Sequence, residues 1–249
     1  MMRTLWIAVC AVPLAASAAD PAEITVFSAG ALQSGLVKVV DQYRRSTGAK
    51  VKVQFGTAPQ LAKRLDADEM ADVLIAPPGL MDALASKNKV DAEGRVVVGR
   101  IGIGVAVRAG APEPDIATLD RFKDALLKAD SIVYNEASSG LYLENLFDLL
   151  GIGESLKPKT MRYASGADVF TQIIQSDRNE IGFGPITEIR QFEPKGLKLV
   201  GPLPAQIQHY TSYSAAVMTN AAVAEAAQEF VRYLGTPTAK AILAAAGID

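Results

Sequence analysis

Ile24-Thr25-Val26-Phe27-Ser28-Ala29-Gly30-Ala31-Leu32 is a β-run that ends in small and hydroxyl residues and passes directly into a helical pattern. Leu32, Leu36, Val40 and Tyr43 continue it as one apolar stripe. The same form recurs at Val51-Lys52-Val53-Gln54-Phe55-Gly56-Thr57-Ala58-Pro59-Gln60-Leu61 and at Ile132-Val133-Tyr134-Asn135-Glu136-Ala137-Ser138-Ser139-Gly140-Leu141. A helix start presents unpaired N–H groups and the positive end of the helix dipole. Small residues there admit a ligand to the backbone, and hydroxyls add directed hydrogen bonds. Three such turns brought together would make a receptacle for a small anion.

Outward from these turns, strand and helix patterns alternate along the whole chain. Residues 50–55 alternate as a strand, 61–65 as a short helix, and Asp72-Val73-Leu74-Ile75-Ala76 reads as a buried strand stopped by Pro77-Pro78. A second block opens with the apolar strand 101–107 and continues through helices and strands to 197–200. The strand 210–217 and two Ala-rich helices, 221–234 and 236–246, close the chain. The alternation predicts an α/β fold with a mostly parallel sheet flanked by helices. The expected organisation is a discontinuous first lobe, 20–99 and 215–249, and a second lobe, 100–214. Strands 101–107 and 211–217 would cross between them, with the ligand cleft where the lobes meet.

Residues 1–19 read as a secretory signal: Arg3, an apolar run from Leu5 to Leu14, and Ala16-Ser17-Ala18 as a cleavage motif. Val9 before Cys10 argues against a lipoprotein. The product would be a periplasmic protein without cysteine, and hence without disulfides. The chain carries 25 Lys and Arg against 27 Asp and Glu, a net charge of −2. That balance gives no general attraction to nucleic acid or to an anionic membrane. His209 is the only histidine. It leaves too few ligands for a His/Cys zinc site, and no Gly-x-Ser-x-Gly elbow or Walker loop is present. No catalytic residue, cofactor or metal cation is therefore expected, and a secreted hydrolase is the remote alternative.

The turns, in their order, resemble the molybdate-binding periplasmic proteins of ABC importers. The residues that carry the resemblance are 24–32, Leu61-Ala62-Lys63-Arg64-Leu65, 71–76, Ser139-Gly140, Gly166-Ala167-Asp168-Val169 and Ile181-Gly182-Phe183-Gly184. The resemblance implies a two-lobed type II periplasmic binding fold and an ABC permease as partner; the mature chain is expected to be a monomer. It also implies an oxyanion held by two serines, backbone N–H groups and a tyrosine. Those positions fall on Ala31, Ala58, Ser139, Val169 and a place near Pro185, so three side-chain donors are missing. Each lost donor to an anion removes about 1.5–3 kcal/mol if nothing replaces it.

Two readings stay open. Hydroxyls of Ser28, Thr57 and Ser138 can rebuild a molybdate-like oxyanion pocket. Alternatively, Ala31 and Ala58 enlarge the cleft for a small organic acid, whose carboxylate would use the same N–H groups. The expected ligand-binding set is Ser28, Ala31, Thr57, Ala58, Ser138, Ser139 and Val169. Uptake and sensing would use the same fold.

Overall fold

The computed structural model describes residues 23–249; the expected signal at 1–19 lies outside them. The first elements are β1 (Glu23–Ala29), a 3-10 turn (Gly30–Leu32), α1 (Gln33–Thr47), β2 (Lys50–Gly56), α2 (Ala58–Asp66), β3 (Val73–Ala76) and α3 (Pro78–Ala85). Then come β4 (Val96–Arg108), α4 (Leu119–Lys128), β5 (Ser131–Asn135), α5 (Ser138–Leu149), α6 (Gly153–Leu156), β6 (Thr160–Tyr163) and α7 (Gly166–Gln175). The chain finishes with β7 (Glu180–Pro185), α8 (Ile186–Phe192), β8 (Leu197–Pro202), β9 (Tyr210–Val217), α9 (Ala224–Leu234) and α10 (Pro237–Ala245).

Local chemistry sets the element ends. Gly48 closes α1 at φ +73°, donating its N–H to the Arg44 carbonyl at 2.9 Å, in the left-handed region where glycine pays no steric penalty. Thr57 begins α2 with a capping box. Its Oγ1 accepts from the Gln60 N–H, and the Gln60 side chain accepts from the Thr57 N–H at 2.9 Å.

The strands run in the order β2-β1-β3-β9-β4-β7-β5-β6, with β8 added beside β4. The pairs β1–β2, β1–β3, β5–β6 and β5–β7 are parallel, as βαβ crossovers require. Every antiparallel pair involves β4 or β9. The sheet is therefore mixed where the sequence predicted a mostly parallel one: the two crossing strands return against the βαβ units instead of extending them.

β4 is the pivotal strand. Val96–Gly102 pairs with β9, and Ile103–Ala106 pairs with β7. It begins five residues earlier than the sequence suggested. On the β1 side, successive side chains feed opposite layers. Ile24 and Val26 join Leu36, Phe230 and Leu243 in one core, whereas Phe27 joins Leu61, Leu74 and Met81 in another. On the β5 side, Ile132 packs with Phe122, Phe147 and Phe183, and Val133 with Phe170, Ile173 and Ile189. The result is a two-lobed α/β molecule with helices on both faces of each half. Helix α8 was not anticipated, and it proves central to the cleft.

Candidate functional site

Several helix starts meet where the lobes face each other. The 3-10 turn before α1 contributes Ala29, Gly30 and Ala31, and α2 contributes Gly56, Thr57 and Ala58. From across the cleft come Asn135, Ala137, Ser138 and Ser139 at the start of α5, and Pro185 and Glu188 at α8. Pro77 and Tyr213 complete the wall of a cavity of about 30 Å³. A second cavity of about 170 Å³ adjoins it, sharing Gly30, Gly56, Thr57 and Glu188. Its far end is the start of α7, Ser165-Gly166-Ala167.

Two hydrogen bonds tie the lobes together across this site. The buried Thr187 hydroxyl donates to the Ala31 carbonyl at 2.7 Å. Thr57 Oγ1 donates to the Ala164 carbonyl at 3.3 Å while capping α2. The lobes are thus in contact over the cavities.

The geometry of α5 depends on a glycine. A Cβ on Gly140 would collide with the Asn135 carbonyl, so only glycine lets the first turn of α5 lie so close to the end of β5. The Asn135 side chain fixes the turn by accepting from the Ala137 N–H at 2.9 Å and from the Ser139 hydroxyl at 3.4 Å. The helix carries no side-chain cap.

Of the predicted site residues, Ala31, Thr57, Ala58, Ser138 and Ser139 line the first cavity. Ser28 and Val169 do not. Ser28 lies within β1, fully buried, and its hydroxyl turns to the Ala29 carbonyl at 3.3 Å. Strand alternation aims it away, and the helical turn starts one residue later, after Ala29. Val169 is buried in α7, and its N–H donates to the Ser165 carbonyl at 3.3 Å. As the fourth helical residue it already has an intrahelical partner. The turn reaches the cleft through Ser165, Gly166 and Ala167 instead.

Sequence reasoning also missed Glu188 and Tyr213. The Glu188 carboxyl lies between the lobes, against the Cα faces of Gly30 and Gly166; side chains on either glycine would crowd it. It forms no ion pair among the described residues. Part of it faces the cavities, but it lies deep enough that desolvation pushes its pKa up to about 7. Burial, with Glu188 close by, also drives the Tyr213 phenol upward, so Tyr213 is a neutral hydroxyl in the cleft wall. Arg64 and His209 line neither cavity. Arg64 pairs with Glu69 at 2.7 Å and covers the Phe27 ring, and His209 stacks on Tyr142 at 4.3 Å.

Fold and site together define a two-lobed protein with a small cleft, walled by helix starts, between its lobes. The chain belongs to the bacterial extracellular solute-binding protein family, whose profile matches residues 24–249. Among its relatives is an aconitate isomerase of Pseudomonas sp, 32% identical over 226 residues, 88% of this chain and 85% of that one. The molybdate-binding protein ModA of Escherichia coli is 26% identical over 232 residues, 90% of this chain and 88% of the relative. The periplasmic molybdate-binding protein of Azotobacter vinelandii shares the fold, with a TM-score of 0.74 and 18% identity over 91% of this chain and 98% of that one. The architecture is that of the solute-binding proteins of ABC transporters. No helix among the described residues is long and apolar enough to cross a membrane.

Proposed function

We propose that this protein captures a small organic acid between a first lobe, 20–99 and 215–249, and a second lobe, 100–214. It acts as a periplasmic monomer that hands its ligand to an ABC permease. The observation that carries this reading is the continuation of the cleft past Glu188 to a second helix start at Ser165-Gly166-Ala167. A single tetrahedral oxyanion would fill one end only. An anion with carboxylates at both ends would use the amides of α2 and α5 on one side and of α7 on the other. Ala31 and Ala58 lend no hydroxyl to a tetrahedral oxyanion but leave room for carbon. The relative named aconitate isomerase supports the same ligand chemistry. Ligand that touches both lobes favours the closed arrangement over an open one.

The second reading, a molybdate-like oxyanion, has in its favour the molybdate-binding relative and the small size of the first cavity. A thermal-shift panel on the mature protein separates the two. At 100 times its dissociation constant a bound ligand adds about 2.7 kcal/mol of stability. The expected result is stabilisation by di- or tricarboxylates and none by molybdate, tungstate, sulfate or phosphate. The reverse pattern overturns the carboxylate reading in favour of the oxyanion.

A further inference from the structure

The position of Glu188 says more than that an acid fits. Its carboxyl stands at the partition between two amide-lined cavities, against Gly30 on one side and Gly166 on the other. A ligand that places a carboxylate in each cavity must lay the carbons between them against Glu188. No cation among the described residues pairs with that carboxyl, so its oxygens stay available to the ligand. Three neighbours define its setting. Tyr213 from β9 faces it as an uncharged phenol, Thr187 beside it on α8 is occupied by the Ala31 carbonyl, and Arg190 on the same helix lies by Gly247.

We propose that Glu188 is a catalytic proton-transfer residue and that the cleft isomerises an unsaturated polycarboxylate by moving a proton between the two ends of its allylic unit. This deepens the organic-acid reading and rests on it. In the first step a Glu188 carboxylate oxygen takes a proton from the methylene carbon that lies between a carboxylate and the double bond. The C–H bond breaks and an O–H bond forms. The electron pair spreads through the double bond into the adjoining carboxylate, where helix-start N–H groups stabilise the charge. In the second step the same O–H returns its proton to the far allylic carbon. The double bond has then shifted by one position, Glu188 is again a carboxylate, and no oxidant, reductant or cofactor is consumed.

For a tricarboxylate such as aconitate the shifted product has the same constitution. Relocating the double bond can therefore exchange the cis and trans forms. The raised pKa of Glu188 suits this traffic, because a group poised near the operating pH can both accept and donate. A purely storage-type carboxyl would need no such poise, and burying it unpaired costs stability.

The test uses the mature protein, with cis- and trans-aconitate as probes in deuterated buffer near pH 7. Proton NMR follows both isomer interconversion and deuterium entry at the methylene and vinyl carbons, while melting curves report binding. Wild type should bind, exchange deuterium and interconvert the isomers. The Glu188→Gln variant should still melt cooperatively and still shift with acid, with exchange reduced at least ~100-fold, the usual scale for a general acid–base group. Binding by wild type without exchange overturns the isomerase proposal and leaves the organic-acid reading standing. Undiminished exchange in Glu188→Gln overturns the role of Glu188. No melting shift with any carboxylate overturns the organic-acid reading itself.

Discussion

Glu188 concentrates the tension of this fold into one side chain. In the unfolded chain it titrates near 4.5; in the folded cleft desolvation raises that to about 7. The folded state therefore holds its proton more tightly. Below pH 4.5 both states are protonated and the group is neutral to stability. As pH rises from there through 7, the folded state is progressively penalised. That difference corresponds to about 3 kcal/mol at pH 8. Glu188→Gln should accordingly raise the melting temperature at pH 8 and leave it almost unchanged at pH 4, as calorimetry at the two values would show. An equal gain at both would mean that ionisation is not the cause. The sequence concealed this residue because Ile186-Thr187-Glu188-Ile189-Arg190-Gln191-Phe192 makes only seven residues of helix, too short for periodicity to announce. Ser28 was misread for the opposite reason. Its hydroxyl sits where a cap is expected, but the strand runs one residue further and turns it inward.

At the scale of elements, the helix starts at residues 30, 58 and 138 were legible, because strand patterns there end in small residues and glycine. Their convergence depends on longer-range ties. Asp72, buried at the approach to β3, is the clearest. Its carboxylate accepts from the Thr25 N–H at 2.8 Å, the Ala222 N–H at 2.8 Å and the Val223 N–H at 3.2 Å. One side chain thus joins the start of β1 to the segment that leads into α9, whose Phe230 and Val231 cover the β1 core. Asp72→Ala would leave those N–H groups without the charged acceptor. The expected loss is roughly 3 kcal/mol of unfolding free energy, measurable by urea titration. A loss below about 0.5 kcal/mol would show that water replaces the carboxylate freely. The mistaken Val169 contact belongs to this scale too. Reading a helix start from sequence places the turn but not which N–H groups remain unpaired, and a shift of three residues turns a free donor into a paired one.

On the scale of the whole molecule, the two-lobed plan was readable from alternating βα patterns. The sense of the crossing strands was not, because β4 and β9 have the same apolar composition in either direction. β4 gives its first seven residues to β9 and then pairs with β7. Gly99, Gly102 and Gly104 stand around that change of partner, and side chains there would meet Ile248, Tyr210 and Ile186 respectively. One strand stitched through both halves leaves neither a separate fate. Heat should release the entire fold in one step, with tryptic cleavage and circular dichroism tracing the same curve, whereas two resolved steps would disprove the shared seam. By the same logic a single cut of the backbone between residues 99 and 103 should loosen both halves together, because the strand it severs is sewn into each of them.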